Sequence, residues 1–167
     1  MYLLDAGVII DAADLHYPIE RVPEYWGWLA HHASVGNVKV PREIFDEVIP
    51  KKTDHILRKW LANNKPALVL ESRGYLSHVA AVTDQYDNGS GLTETDVERM
   101  GNDPFLIAAA MCDGTVLVTT EESKPKRLGG NRHIPDVCND LGIRCIKPHV
   151  FHRELDFRTD WDRKSDQ

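Results

Sequence analysis

Apolar positions along this chain switch between short unbroken runs and recurrences three or four residues apart, the two patterns that distinguish buried strands from amphipathic helices. Tyr2 to Leu4 is a short apolar run that ends at Asp5; Val38 to Val40, Ala67 to Leu70, Thr115 to Thr119 and Ile143 to Ile146 follow, the fourth being the strongest strand signal. Helical spacing fills the gaps between them. Pro23 to Ala33 carries aromatic and aliphatic residues suited to a helix, Pro41 stands at a favourable first helical position before Ile44, Phe45, Val48 and Ile49, and Ile56, Leu57, Trp60 and Leu61 repeat the spacing. Tyr75 to Val82 predicts another helix, which gives out before the turn-rich Asp87-Asn88-Gly89-Ser90-Gly91, a surface loop. Helical signals return at Thr93, break at Gly101 and restart at Asp103-Pro104, where Phe105, Ala108, Ala109 and Cys112 fall at i, i+3, i+4 and i+7. The polar loop Glu121 to His133, a short helix Pro135 to Leu141 and a last helix from Pro148 complete the pattern. Strands alternating with helices predict an α/β fold with a mainly parallel central sheet. One domain is expected over residues 1–157, with 158–167 as a frayed, flexible tail.

Composition narrows this picture. The 167 residues fit one hydrophobic core, and 42% hydrophobic with 28% charged residues excludes wholesale disorder. No run approaches the roughly 20 apolar residues of a membrane span. The start Met1-Tyr2-Leu3-Leu4-Asp5 lacks the basic region of a signal peptide, so a cytoplasmic protein is expected. Cys112, Cys138 and Cys145 form no CxxC pair and read as reduced core residues. A net charge of -6 excludes nucleic-acid binding through a global basic field, leaving a local patch or bridging metal ions.

In an open parallel sheet, ligands bind beyond the carboxyl ends of the strands, so acidic residues located there carry weight. Asp5 ends the first strand, and Glu121 and Glu122 follow the strongest one. Glu43 and Glu47 lie four apart on the helix after the second strand, Glu47 nearer the apolar stripe and Glu43 more exposed. Asp103 before Pro104 also suits a helix N-cap. Lys124, Lys126, Arg127 and Arg132 form the one clear basic cluster, a loop able to grip phosphates next to Glu121; its glycines lack the spacing of a phosphate-binding P-loop. The pairs His31-His32 and His149 with His152 lack structural-zinc spacing and read as surface or helix-packing residues. Trp26, Trp28 and Trp60 read as core or partner-facing, and Asn88-Gly89-Ser90 is a glycosylation sequon without a role in a cytoplasmic chain.

The ordered set Leu3-Leu4-Asp5, a Glu on the helix after the second strand, Asn102-Asp103-Pro104-Phe105-Leu106-Ile107-Ala108, and Val116-Leu117-Val118-Thr119-Thr120-Glu121 resembles the PIN domain. That metal-dependent nuclease fold includes the VapC-like toxins of toxin-antitoxin pairs. With Ile134-Pro135-Asp136-Val137-Cys138-Asn139-Asp140-Leu141-Gly142-Ile143-Arg144-Cys145 added, the chain is similar to a poorly characterised PIN-like family. The resemblance covers roughly residues 2–155 and implies a three-layer α/β/α sandwich. It implies an acidic quartet of Asp5, Glu47, Asp103 and Glu121 acting as metal ligands and catalytic groups, with Thr119 as the supporting hydroxyl and Glu122 and Glu43 as neighbours that could substitute.

Such a cluster suits Mg²⁺ or Mn²⁺, hard cations that take oxygen ligands and share them with substrate phosphate. Endonucleolytic cleavage of RNA, a toxin role, an antitoxin contacting the Trp-bearing helix, and a homodimer are its further implications. The family often has Thr or Ser and then Asn or Ser after the first Asp, where this chain has Ala6-Gly7. That departure motivates the alternative, a catalytically weak RNA- or protein-binding module of the same fold. An Asp5 phosphoacceptor is a poorer third reading, because Gly7 stands where haloacid-dehalogenase chemistry needs a second Asp.

Overall fold

The structure, a computed structural model, describes residues 1–49, 55–87, 91–112 and 114–162. Five strands, β1 (Tyr2–Leu4), β2 (Val38–Pro41), β3 (Val69–Leu70), β4 (Val116–Val118) and β5 (Cys145–Ile146), form one sheet in the order β3-β2-β1-β4-β5. Every pairing is parallel. The chain therefore has the expected α/β architecture, with helices covering the sheet in an α/β/α sandwich. Residues Leu3, Leu4, Val38, Val40, Leu117 and Val118 are fully buried, which is why the strands read as unbroken apolar runs instead of alternating ones.

All five expected strands form, with trimmed ends. Ala67 and Leu68 belong to helix α4 (His55–Leu68), and Thr115 and Thr119 flank β4. Helices α2 (Pro23–Ser34), α3 (Arg42–Val48), α5 (Leu76–Tyr86), α6 (Glu94–Met100), α7 (Asp103–Ala110), α8 (Ile134–Asp140) and α9 (Pro148–Glu154) match the helical patterns. A helix missing from the sequence reading, α1 (Ala6–Asp11), follows β1 directly and runs into a π-helical segment, Ala12–His16. Gly7-Val8-Ile9-Ile10 carries no helical period and is rich in β-branched residues. Burial of Ala6, Val8 and Ile9 overrides that weak local preference.

The most buried helix is α7, where Pro104 and every residue from Leu106 to Ala110 lie in the core. Its run of three alanines lets its axis approach both the sheet and α5. Expected to continue the α7 stripe, Cys112 lies beyond the helix end and is exposed; Cys138 is buried and Cys145 half-buried, and all three are free thiols.

On the opposite side α2 buries Tyr25, Trp26 and Trp28. Trp26 meets the Trp60 ring edge-on at 4.9 Å and donates through Nε1 to Tyr17 O (2.7 Å), while Trp28 Nε1 donates to Leu155 O (3.3 Å). Both indoles are thus enclosed by their own fold, the core role among the two expected for them. Residues 158–162, expected to fray, instead bring Trp161 back onto α2, where its indole donates to Glu24 O (3.0 Å) and its ring meets His31 at 5.2 Å. Residues 163–167 and the sequon Asn88-Gly89-Ser90 lie outside the described residues. Among the described residues, no helix is long and apolar enough to cross a membrane.

Candidate functional site

The sheet order reverses at β1, which sits between β2 and β4, so a crevice opens beyond the carboxyl ends of β1 and β4. Asp5 is the first residue past β1, and its N–H donates to Val118 O (3.0 Å), holding the two strand ends together. Thr119, wholly buried at the end of β4, donates from Oγ1 to Asp5 Oδ2 (2.8 Å) and accepts from the Glu121 N–H (3.1 Å). One hydroxyl therefore couples the carboxylate that ends β1 to the backbone that presents Glu121. Burial pushes the Asp5 carboxyl up to about 6, reinforced by the charges of Glu121 and Glu47 and opposed by the hydrogen bonds from Thr119 and the Ala6 N–H.

Glu121 Oε2 accepts from the Ile134 N–H (2.9 Å) at the start of α8, with His133 Nδ1 3.7 Å away. Its neighbour Glu122 turns elsewhere, pairing with Lys147 Nζ (2.8 Å) on the surface. The same ammonium donates to Thr120 O (2.9 Å) and Glu121 O (2.5 Å), so Lys147 pins the turn that carries Glu121. On α3, both glutamates are half-buried. Glu43 accepts from the Tyr75 hydroxyl (2.5 Å), whereas Glu47 stands close enough to Asp5 for its charge to act on it.

Asp103 is the first residue of α7, not its cap. Asn102 holds the N-cap position, makes no side-chain cap bond and donates through Nδ2 to Glu43 O (3.3 Å). The carboxylate of Asp103 acts on the Tyr86 phenol at the end of α5, as does that of Glu121.

The charges of Glu121 and Glu47 thus reach Asp5 at the ends of β1 and β4, and those of Asp103 and Glu121 reach Tyr86. Among the described residues, no group of three or more His, Cys, Asp or Glu stands close enough together to hold a metal ion. The donor chemistry nonetheless suits a hard divalent cation, because the convergent groups are carboxylates and Thr119 already orients one of them. Among the described residues, two buried side-chain polar atoms lack a hydrogen-bond partner, Tyr86 Oη and His133 Nδ1, and both border this site.

Gly7, in the segment where the resemblance leads one to expect a hydroxyl residue, has a steric reason. A Cβ there would come within 2.8 Å of Thr120 Oγ1, so the Thr120 hydroxyl fills the space beside Asp5. In the basic loop Lys124, Lys126 and Arg127 are exposed, but Arg132 is not available in the same way: its guanidinium donates to Gln85 O (2.5 Å) and pairs with Asp140. The loop base is fixed by Asp136, which accepts from Ser123 Oγ (2.5 Å) and Lys124 N (2.8 Å), and by the Gly130 N–H on Asp96 (2.9 Å). Any Cβ at Gly130 would overlap Asp96 O at 2.3 Å, so this glycine serves a close backbone approach.

Tyr86, His133, Thr120 and Lys147 carried no signal in the sequence as site residues. Next to the site is a cleft of about 430 Å³ lined by His16, Tyr17, Thr120, Lys147, His149 and His152. His152 has the helix-packing role expected of it: burial, with His16 and His149 nearby, pushes it down to about 4, and Nε2 lies 3.3 Å from the Tyr25 hydroxyl.

No curated protein and no solved structure matches the chain. The model of one family, described as a domain of unknown function (DUF4411), matches residues 2–159, a span that contains the whole sheet and every residue of the acidic site. This chain belongs to the DUF4411 family.

Proposed function

We propose that this chain is a Mg²⁺- or Mn²⁺-dependent endoribonuclease of the PIN type. The observation that carries the reading is Asp5: a carboxyl at the switch point of a parallel sheet, held by Thr119 and pushed up to about 6 by burial and two further carboxylates. A fold does not gather like charges in a buried crevice for stability, because each raises the cost of ionising the others. Perturbed acids in a cleft mark functional sites.

In this reading Asp5, Glu47, Asp103 and Glu121 hold the cation. When bound, the ion lowers the pKa of a water and neutralises charge at the phosphate. Thr119 fixes the orientation of Asp5, and Lys147 and Ile134 N–H fix Glu121 through its carbonyl and its carboxylate. Exposed Lys124, Lys126 and Arg127 lie three to six residues beyond Glu121 and supply local positive charge for flanking phosphates in an otherwise acidic chain. The Thr120 hydroxyl beside Gly7 weakens the case for an inactive binding module, since the segment after Asp5 has a hydroxyl neighbour despite Ala6-Gly7.

The test is cleavage of total RNA with Mn²⁺ or Mg²⁺, with EDTA, and with Asp5→Asn. Cleavage that needs the metal and falls at least about 100-fold in the variant is expected. Cleavage indifferent to EDTA and to the substitution overturns the reading.

A further inference from the structure

Tyr86 closes α5 against α7 and α8, and its ring is fully buried. Arg132 donates to the carbonyl of Gln85, the residue before it, so the helix end that carries the ring is held in place. Within this packing the hydroxyl has no hydrogen-bond partner. Leaving a buried donor unbonded costs on the order of 1–3 kcal/mol, and a phenylalanine would fill the same volume without that cost. The oxygen does not stabilise the resting fold, so another role is needed to account for it. A phenol hydroxyl is a donor, and the carboxylates whose charges reach it, Asp103 and Glu121, only accept. Beyond Glu121 lies the second buried atom without a partner, His133 Nδ1, whose nearest carboxylate oxygen is 3.7 Å away on Glu121. Glu121 is therefore common to both unbonded atoms, with Asp103 acting on Tyr86 as well, whereas the indoles of Trp26 and Trp28 are bonded.

We propose that Tyr86 is a positioning residue of the acidic site, its hydroxyl donating to the Asp103 carboxylate when that group turns towards a divalent cation and thereby fixing which oxygen faces the ion. The proposal rests on reading the site as a cation centre. Partners that orient a metal-binding carboxylate commonly change metal affinity 10–100-fold when removed.

The experiment compares wild type, Tyr86→Phe, Asp103→Asn and the double variant, measuring melting temperature in EDTA and Mn²⁺ affinity by calorimetry. Tyr86→Phe is expected to melt in EDTA at or above the wild-type temperature and to bind Mn²⁺ 10–100-fold more weakly. In the Asp103→Asn background the same substitution should leave Mn²⁺ affinity unchanged, because its effect passes through Asp103. A Tyr86→Phe melting temperature several degrees below wild type, or wild-type Mn²⁺ affinity, overturns the proposal and leaves the cation centre standing. Wild-type protein that binds no Mn²⁺ overturns both.

Discussion

The aromatic layer around α2 and the acidic face at the ends of β1 and β4 treat their polar atoms in opposite ways. Around α2, the ring nitrogens of Trp26, Trp28 and Trp161 each donate to a backbone carbonyl, and even the half-buried His152 has the Tyr25 hydroxyl beside it. At the acidic face, Asp5 is pushed up by its neighbours, and Tyr86 Oη and His133 Nδ1 are buried without partners. Saturated hydrogen bonding and dense ring packing give stability. Unsatisfied donors beside crowded carboxylates oppose it, and they are concentrated where the fold opens a crevice. The contrast separates what holds this protein together from the face proposed to bind a cation.

The largest effect is expected in the aromatic layer. Trp28→Ala removes a fully buried indole that packs on Tyr25, Phe151 and Phe157 and should lower stability by about 3–5 kcal/mol in urea unfolding. A loss under 1 kcal/mol would show that this layer is not the main support.

Asp5→Asn should move stability the other way. The folded-state pKa of Asp5, about 6, lies above its ordinary value of 3.8, so the folded protein binds that proton more tightly. Its contribution is fully present below pH 3.8 and is lost as pH rises through about 6. Asn, which keeps an acceptor for Thr119, escapes that loss. The variant should match wild type near pH 3.5 and exceed it by up to about 3 kcal/mol at pH 7 in the presence of EDTA. Equal stabilities at pH 7 would mean that the acidic face is not under the strain described here.

A smaller difference separates the two glutamates of α3. Glu47→Gln should reduce metal-dependent cleavage at least about 10-fold more than Glu43→Gln, since Glu47 acts on Asp5 whereas Glu43 is bonded to the Tyr75 hydroxyl, a bond that Gln can keep. Equal losses would place both carboxylates in the site.

Much of this was legible along the chain, and the reason differs by element. Strands buried on both faces read as continuous apolar runs, so β1, β2, β4 and β5 were visible within a residue or two. Helix α1 was invisible because its residues prefer extended backbone and become helical only through packing. Asp5 and Glu121 stood out because each follows an apolar strand directly, a placement visible in one dimension. Asp103 was ambiguous, since a cap and a ligand share the same local sequence; in the structure Asn102 takes the N-cap and Asp103 is the first residue of the helix.

The sequence by itself determined the α/β class, the five strands, the buried tryptophans and the two acids at the strand ends, because periodicity and burial leave a local trace. Only the tertiary structure decided that the charge of Glu47 reaches Asp5 while Glu43 accepts from Tyr75, that Thr119 links Asp5 to Glu121, and that Thr120 fills the space beside Gly7. It alone decided that Arg132 is tied to Asp140 and that the buried Tyr86 hydroxyl is unbonded within reach of the Asp103 charge. The physical reason is that hydrogen bonds, charge and desolvation act over a few ångströms of space, and residues that share those few ångströms, such as Asp5 and Thr119, lie 114 positions apart in the chain.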